Sequence, residues 1–351
     1  MFKSILVFLT LILSLCPINC RKFHVINFQW SDFYPASFTW DQRSEHFVVG
    51  SHRQQQLLSI SDAGVAASVL SDDSLPENSS FYGLALDRLH HRLLAVVHRP
   101  ATPSTPSFSA LASYHLTTFN QLFLAPLPAS PFPNSTVPSD VAVDFSGNAY
   151  VTDSANGVVF KVNIDGEASI LSRSQAYGNS GLNGVVYNAK GYLLVVQPNT
   201  GKLYKVNVDD GTARKVILNK DITAAEGIAV RSDGIVVAVS KYKLYFIKSQ
   251  DSWSEGVVFD ETALEEERQA SAVAVGAQDR VYVLYGHVKE KEGIMGNSER
   301  EEFSIVEVES EKESKEENVW IFVLFGLGLA YFLFWRFQMR QLVHNMNKKT
   351  A

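Results

Sequence analysis

The sequence predicts an all-β protein: a six-bladed β-propeller with an N-terminal signal peptide and one C-terminal transmembrane helix. The main observation behind the propeller is a pattern written twice in succession, in residues 138–163 and 182–207. Within each copy, apolar residues alternate with others at period two, which is typical of short β-strands. A repeat of this size with three or four strands indicates a propeller blade.

Turn residues separate the strands at matching places in the two copies. A turn of the form Asp/Asn-x-x-Gly spans residues 144–147 in the first copy and 188–191 in the second. Glycine accepts the positive φ that ends such a turn, and Asp or Asn can bond its own backbone there. A second turn ending in Gly157 or Gly201 leads into a third strand.

Four further copies are weaker, and together they predict six blades. The second strands begin near residues 47, 93, 149, 192, 235 and 281, so the spacing is regular except for one gap. That gap contains a Pro/Ser-rich insertion at residues 100–109. A propeller must close its ring, and the β-prone stretch at residues 23–28 is predicted to add the closing strand to the last blade.

Composition limits the function classes. The chain has 351 residues, of which 46% are hydrophobic and 19% charged, so it can bury a large core. The net charge of −6 and the lack of a basic stripe argue against a nucleic-acid partner. The two cysteines, Cys16 and Cys20, lie in the first twenty residues, which argues against a disulfide framework or a thiol active site in the folded domain.

The two ends of the chain predict a membrane topology. Residues 1–20 have the charged start and short apolar run of a signal peptide. Residues 319–335 are uncharged and apolar and would rise about 25 Å as a helix, so a transmembrane helix is predicted at 319–337. An acidic stalk, 310–318, precedes it and a basic tail, 338–351, follows. This asymmetry predicts a type I protein with a lumenal propeller at 21–309 and a cytosolic tail.

Short motifs refine the predicted location. Lys348 and Lys349 stand fourth and third from the end, which resembles the dilysine retrieval signal that coat machinery reads. The expected location is therefore the endoplasmic reticulum membrane, or otherwise another membrane of the secretory pathway. Asn78 and Asn134 each begin an Asn-x-Ser/Thr sequence and are candidate glycosylation sites.

The candidate site follows from the propeller geometry. Residues just before the inner strand of each blade converge at one mouth of the central channel, and Asp140, Asn183 and Glu226 hold such positions. Their side-chain oxygens could bind Ca²⁺ or another divalent cation, with waters completing the shell. The alternative interpretation is that they cap strand ends and bind channel water.

Four segments resemble the SMP-30/gluconolactonase family of six-bladed propellers, and more closely its plant calcium-dependent phosphotriesterase-like branch. They are residues 38–41, 139–154, 182–196 and 225–234, and the resemblance spans about residues 33–309. It implies an axial metal held by a Glu of the first blade, by Asn residues and by an Asp. Asn183 matches that pattern, Glu226 stands where Asp is usual, Asp140 stands where Asn is usual, and Ala36 replaces the first Glu.

Three functions are compatible with these residues, and the fold alone does not choose among them. The first is a metal-dependent hydrolase of lactones, esters or phosphotriesters, with Glu226 and Asp140 as catalytic carboxylates. The second is a non-catalytic scaffold that binds a protein or a small molecule. The third is a metal-independent activity like that of strictosidine synthase, with Glu226 as the catalytic carboxylate. Other catalytic motifs are absent, and the histidines lack metal-ligand spacing; they include His52, His98, His115 and His287.

Overall fold

The computed structural model describes residues 23–129, 132, 135–178, 181–287 and 300–349, and the side chains of 314–322 and 344–349 are outside this description. The predicted signal peptide and Asn134 therefore lie outside the described residues, as do the side chains of Lys348 and Lys349. Six β-sheets form the body of the chain, as predicted, and their pairing is antiparallel except for one short strand in blade 5.

Each sheet is one blade, and from the centre outward its first strands follow one another in chain order; the outermost strands of blades 5 and 6 are exceptions. Blade 1 contains β2 Pro35–Asp41, β3 His46–Ser51, β4 Gln56–Ser61 and β5 Ala66–Ser71. Blade 2 contains β6 Ser80–Asp87, β7 Arg92–Arg99, β8 Phe108–His115 and β9 Gln121–Pro126. Blade 3 contains β10 Pro138–Val143, β11 Ala149–Asp153, β12 Val158–Val162 and β13 Ala168–Ser172.

The second half of the ring repeats this order. Blade 4 contains β14 Val185–Asn188, β15 Tyr192–Gln197, β16 Lys202–Asn207 and β17 Ala213–Lys215. Blade 5 contains β19 Gly227–Val230, β20 Val236–Val239, β21 Lys243–Lys248 and β22 Glu255–Ala263, with the short β18 Ile217–Leu218 outside β22. Blade 6 contains β23 Ala270–Val275, β24 Val281–Tyr285, β25 Glu302–Glu307 and β1 Val25–Gln29. Short 3₁₀ turns lie at Gln175–Tyr177 and Ala277–Asp279.

The first strand closes the ring, as the sequence predicts. β1 pairs antiparallel with β25 in a register that places Val25 opposite Val306. Ile26 and Phe28 on one face of β1 are buried, and the ring of Phe28 lies 5.8 Å from that of Phe303. The two ends of the propeller are thereby joined through one sheet, in which β1 covers the edge that β25 would otherwise expose.

Packing between blades is continuous around the ring. Six clusters of buried apolar side chains each join two neighbouring blades, and the cluster around Phe38, Phe47 and Tyr282 joins the first blade to the last. The inner strands contact one another in sequence, and β23 returns to β2. The central channel is therefore enclosed on all sides by inner strands.

The predicted turn chemistry is confirmed. Asp144 accepts the amide N–H of Ser146 at 2.9 Å, and Gly147 has a φ of +84°. In the next copy, Asn188 accepts the amide of Lys190 at 3.0 Å, and Gly191 again has a φ of +84°. We call the face that carries these turns between the first and second strands the basal face, and the opposite face the upper face.

Two features differ from the sequence prediction. Blade 5 has a fifth strand, β18, which pairs parallel with β22; its two residues are too few to give a period-two signal. The predicted acidic stalk begins as a helix, α1 Glu311–Lys349, whose start is bonded to blade 5. Ser310 is buried and donates a 2.6 Å hydrogen bond to Asp260, and Arg231 contacts Glu313 at 2.7 Å.

The predicted transmembrane helix is not confirmed. Among the residues whose placement is described, no helix is long and apolar enough to cross a membrane. Residues 319–322, the first four of the predicted span, belong to the part of α1 whose side chains lie outside this description. Within 323–343 the apolar side chains of α1 are mostly exposed.

Two residues of β1 give a matched test of ring closure. Replacing Phe28, which is 1% exposed, with Ala should lower the free energy of unfolding by about 3–5 kcal/mol, because a large buried ring is lost at the closing strand. Replacing Val25, which is 45% exposed on the same strand, with Ala should change it by less than about 0.5 kcal/mol. Urea unfolding of both variants measures the difference. Equal effects would contradict the role of the β1–β25 packing in stability.

Candidate functional site

A cavity of about 760 Å³ runs along the axis of the ring between the six inner strands. Its upper end is lined by the starts of these strands, and the residues predicted from the sequence, Asp140, Asn183 and Glu226, all line it. The structure thus brings the three together around one cavity, as expected.

Glycines position these polar residues by letting neighbouring inner strands approach closely. A Cβ atom on Gly83 would lie 2.5 Å from the Cα atom of Asp140, and one on Gly184 would lie 2.7 Å from the carbonyl oxygen of Glu226. The amide of Gly184 also donates a 2.8 Å hydrogen bond to that oxygen. Blades 2 and 3 therefore meet closely at Asp140, and blades 4 and 5 meet at Glu226.

The Asp140 carboxylate is held by backbone groups of two blades. One oxygen accepts the amide of Val141 at 2.9 Å, and the other accepts the amide of Val185, in the next blade, at 3.0 Å. Burial raises the pKa of this carboxyl from 3.8 to about 6, although both hydrogen bonds act in the opposite direction. Asp140 therefore joins blade 3 to blade 4, which is the strand-capping role considered as the alternative from the sequence.

Glu226 has a different environment. Its carboxylate is 35% exposed and lies 3.8 Å from the ammonium group of Lys241, which follows β20 in the same blade. Both side chains line the cavity. The upper part of the cavity therefore presents a carboxylate beside a cationic hydrogen-bond donor.

Asn183 is fixed through its backbone. Its amide donates to the carbonyl of Val196 at 3.0 Å, and its own carbonyl accepts the hydroxyl of Thr152 from blade 3. These bonds set the backbone position from which the side-chain amide reaches the cavity wall. An amide can donate to a carbonyl oxygen and accept from a hydroxyl group.

Sequence reasoning missed the contribution of the second strands. The end of each second strand returns to the upper mouth, and this places His52, Ser154 and Lys241 on the cavity. The rings of His52 and Tyr82 lie 4.8 Å apart in an edge-to-face arrangement, and burial raises the pKa of the Tyr82 phenol. Their position in the sequence could have identified them, since His52, Ser154 and Lys241 stand one or two residues after a second strand. Tyr82 stands early in an inner strand.

The residues on the cavity do not fit the divalent-cation site that the resemblance implies. Asp140 uses both oxygens for backbone amides, Glu226 lies beside the positive charge of Lys241, and Ala36 lines the cavity where a carboxylate is expected. A dication prefers about six to eight oxygen ligands and is repelled by a neighbouring ammonium group. Within the described part of the chain, no group of three or more His, Cys, Asp or Glu side chains is placed to hold a metal.

Comparisons with known proteins agree on the fold. No protein-family model matches the sequence, and no curated protein matches it. Many solved structures do, including the allergen Mala s 1 of Malassezia sympodialis, at 16% identity with a TM-score of 0.68 over 82% of this chain and 96% of that one. A gluconolactonase from Xanthomonas campestris is 14% identical, with a TM-score of 0.56 over 82% of this chain and 91% of that one. Virginiamycin B lyase from Staphylococcus aureus is 8% identical, with a TM-score of 0.53 over 82% of this chain and 100% of that one. At these identities the similarity establishes a six-bladed propeller.

The raised pKa of Asp140 predicts a pH-dependent stability. Between about pH 4 and pH 6 the folded protein holds a proton on Asp140 that the unfolded chain has released, so the unfolded state binds fewer protons and stability falls as pH rises. Because the pKa of Asp140 is raised from 3.8 to about 6, the free energy of unfolding should be about 3 kcal/mol lower above pH 6 than below pH 4. Asp140→Asn has no carboxyl group at this position and therefore lacks this pH dependence. The difference in unfolding free energy between the wild type and this variant should change by about 3 kcal/mol between pH 4 and pH 6. Urea unfolding at several pH values measures it, and parallel pH curves would contradict it.

Proposed function

We propose that this protein is a membrane-anchored propeller whose axial cavity binds a small organic ester or lactone. The observation that carries the proposal is the pairing of Glu226 and Lys241, 3.8 Å apart, on the wall of a cavity of about 760 Å³. Cavities of this size suit small organic ligands, which a few well-placed polar groups orient.

The chemistry of these polar groups favours a carbonyl compound with a hydroxyl group. The ammonium of Lys241 and the amide of Asn183 can each donate a hydrogen bond to a carbonyl oxygen. The carboxylate of Glu226 can accept a hydrogen bond from a ligand hydroxyl or from a water molecule. The fold shared with a gluconolactonase is compatible with such a ligand. The motifs at residues 139–154 and 182–196 further support placing the chain in the plant phosphotriesterase-like branch.

Hydrolysis of the bound ester or lactone is the second candidate function, and the position of Glu226 favours it. A carboxylate in contact with cavity water can act as a general base, while Lys241 and Asn183 stabilise the oxyanion that forms on the carbonyl. These residues would act without a resident metal. The remaining alternative is a scaffold that binds its ligand without turnover.

The proposed location rests on the sequence of the chain ends. Seventeen uncharged residues, 319–335, support a single membrane pass, and the acidic residues before them and basic residues after them support a lumenal propeller. The exposed apolar side chains of α1 within 323–343 agree with a lipid environment. Asn78, which is exposed, is then the proposed glycan site together with Asn134, and Lys348 and Lys349 are proposed to engage coat machinery.

Ligand binding can be tested on the purified full-length chain in detergent. A panel of lactones and carboxylic esters should contain compounds that raise the melting temperature, because a ligand that binds only the folded state stabilises it. Glu226→Gln should remove that rise and lower any ester hydrolysis about 10²–10⁴-fold. Glu255→Gln, which changes an exposed residue on β22 of the same blade, is the matched control and should retain both the rise and the hydrolysis.

Calcium separates the metal-dependent alternative from this proposal. Millimolar Ca²⁺ should leave the melting temperature of the wild type unchanged, because the ammonium of Lys241 lies beside Glu226. A rise with Ca²⁺ that disappears in Glu226→Gln would support the metal-dependent hydrolase instead. A panel without any stabilising compound would refute the ligand-binding proposal.

The proposed location is tested with glycan processing. Replacing Lys348 and Lys349 with Ser should release a tagged protein from the endoplasmic reticulum, so that its glycans become resistant to endoglycosidase H. Replacing Asn345 and Asn347 with Ser in the same tail should leave them sensitive. Unchanged sensitivity in the lysine variant would contradict retrieval, and a chain without any glycan would contradict the lumenal placement of Asn78 and Asn134.

A further inference from the structure

Among the residues of the propeller that the structure describes, the large apolar side chains exposed in turns lie mainly on one face. Those that lie outside strands on the basal face are Phe23, Val65, Leu89, Phe145 and Ile164. Leu89 and Phe145 are 65% and 63% exposed, respectively. Among the turn residues of the upper face that the structure describes, the corresponding set has one member, Tyr242, at 40% exposed. The remaining exposed large apolar residues of the propeller that the structure describes lie along the outer strands of the blades. An uneven distribution of this kind indicates an interaction surface.

Three of the basal residues form a rigid patch. Leu89, Phe145 and Ile164 lie on turns of blades 2 and 3 that one buried side chain, Arg92, holds together. The guanidinium of Arg92 donates to the carbonyl of Gly147 at 2.8 Å and to that of Ile164 at 3.1 Å, and it pairs with Asp87 at 2.7 Å. The exposed apolar groups are therefore presented on fixed turns, so little conformational entropy is lost when they contact a partner.

The chain leaves the propeller from this same face. Arg231, which contacts Glu313 of α1, belongs to the basal turn of blade 5, and Ser310 and Lys312 are bonded to Asp260. The uncharged segment begins at residue 319, which is only about 12 Å along the helix from Glu311. If that segment is in a bilayer, the basal face cannot lie far from the lipid surface.

The charge of the basal face indicates which kind of bilayer it fits. Acidic residues outnumber basic residues in its turns, and two of them, Asp209 and Asp210, are adjacent in blade 4. Anionic lipid would repel such a face, whereas zwitterionic lipid would not. Phenylalanine and leucine are side chains that enter the boundary between headgroups and acyl chains.

From these observations we infer that the basal face rests on the lumenal surface of the bilayer, with Leu89 and Phe145 inserted among zwitterionic lipids. This inference rests on the proposed membrane anchor. The upper mouth of the cavity, with Glu226 and Lys241, then opens away from the membrane, so the ligand reaches it from the aqueous lumen.

Fluorescence quenching in phosphatidylcholine nanodiscs tests the inference on the full-length chain. Cys16 and Cys20 are replaced with Ser, and single cysteines carrying an environment-sensitive dye are placed at residues 89, 145, 242 and 327, each exposed in the structure. Nitroxide-labelled acyl chains should quench the dye at 89 and 145 and at 327 in α1. The dye at 242 on the upper face should keep its intensity. Melting curves confirm that each labelled variant is folded.

The pattern of quenching distinguishes the possible failures. Quenching at 327 without quenching at 89 and 145 would overturn the inference and leave the membrane anchor in place. Lack of quenching at all four positions would overturn the anchor and the inference together. Equal quenching at 242 and 145 would show that both faces contact lipid, so the propeller would lack the proposed orientation, and this result would also overturn the inference. Adding anionic lipid should reduce quenching at 89 and 145; an increase would contradict insertion through apolar contacts.

Discussion

The pairing of β1 with β25 is the contact on which the rest of the structure depends. It joins the first and last strands of the ring, so each blade packs against two neighbours and each inner strand contacts the next. Only in a closed ring do the starts of the six inner strands face one another across a cavity. The close approaches at Gly83 and Gly184 then bring Asp140 and Glu226 to the wall of that cavity.

Two carboxylates on the wall of the cavity, Asp140 and Glu226, have different environments. Asp140 bonds the backbone of two blades, and burial raises its pKa because the charged form is poorly solvated there. Glu226 is partly exposed beside Lys241 and keeps contact with the cavity. Asp140 is therefore bonded to the backbone of two blades, whereas Glu226 and Lys241 form an ion pair on the cavity wall.

Much of the fold could be predicted because strands and turns carry local signals. The period-two alternation and the Asp/Asn-x-x-Gly turns give the number of blades and their second strands, and the closing strand follows from the need to close the ring. The two-residue strand β18 could not be predicted because it is too short for any period. The position of Asp140, Asn183 and Glu226 on one cavity also followed from topology. The partners of Asp140 and Glu226 could not be predicted. Val185 reaches Asp140 through the packing of two blades, and Lys241 reaches Glu226 through the conformation of the turn after β20.

Ring closure has a consequence for the order in which the protein can fold. Gln29 and Glu302, which are hydrogen-bonded side by side at the seam, are 273 residues apart in the chain. During synthesis β1 is made before all other strands of the propeller, and its partner β25 is made after all of them, so the seam can form only when every blade has been synthesised. Until then the nascent chain exposes unpaired strand edges, which are liable to aggregate and are the kind of segment that chaperones protect.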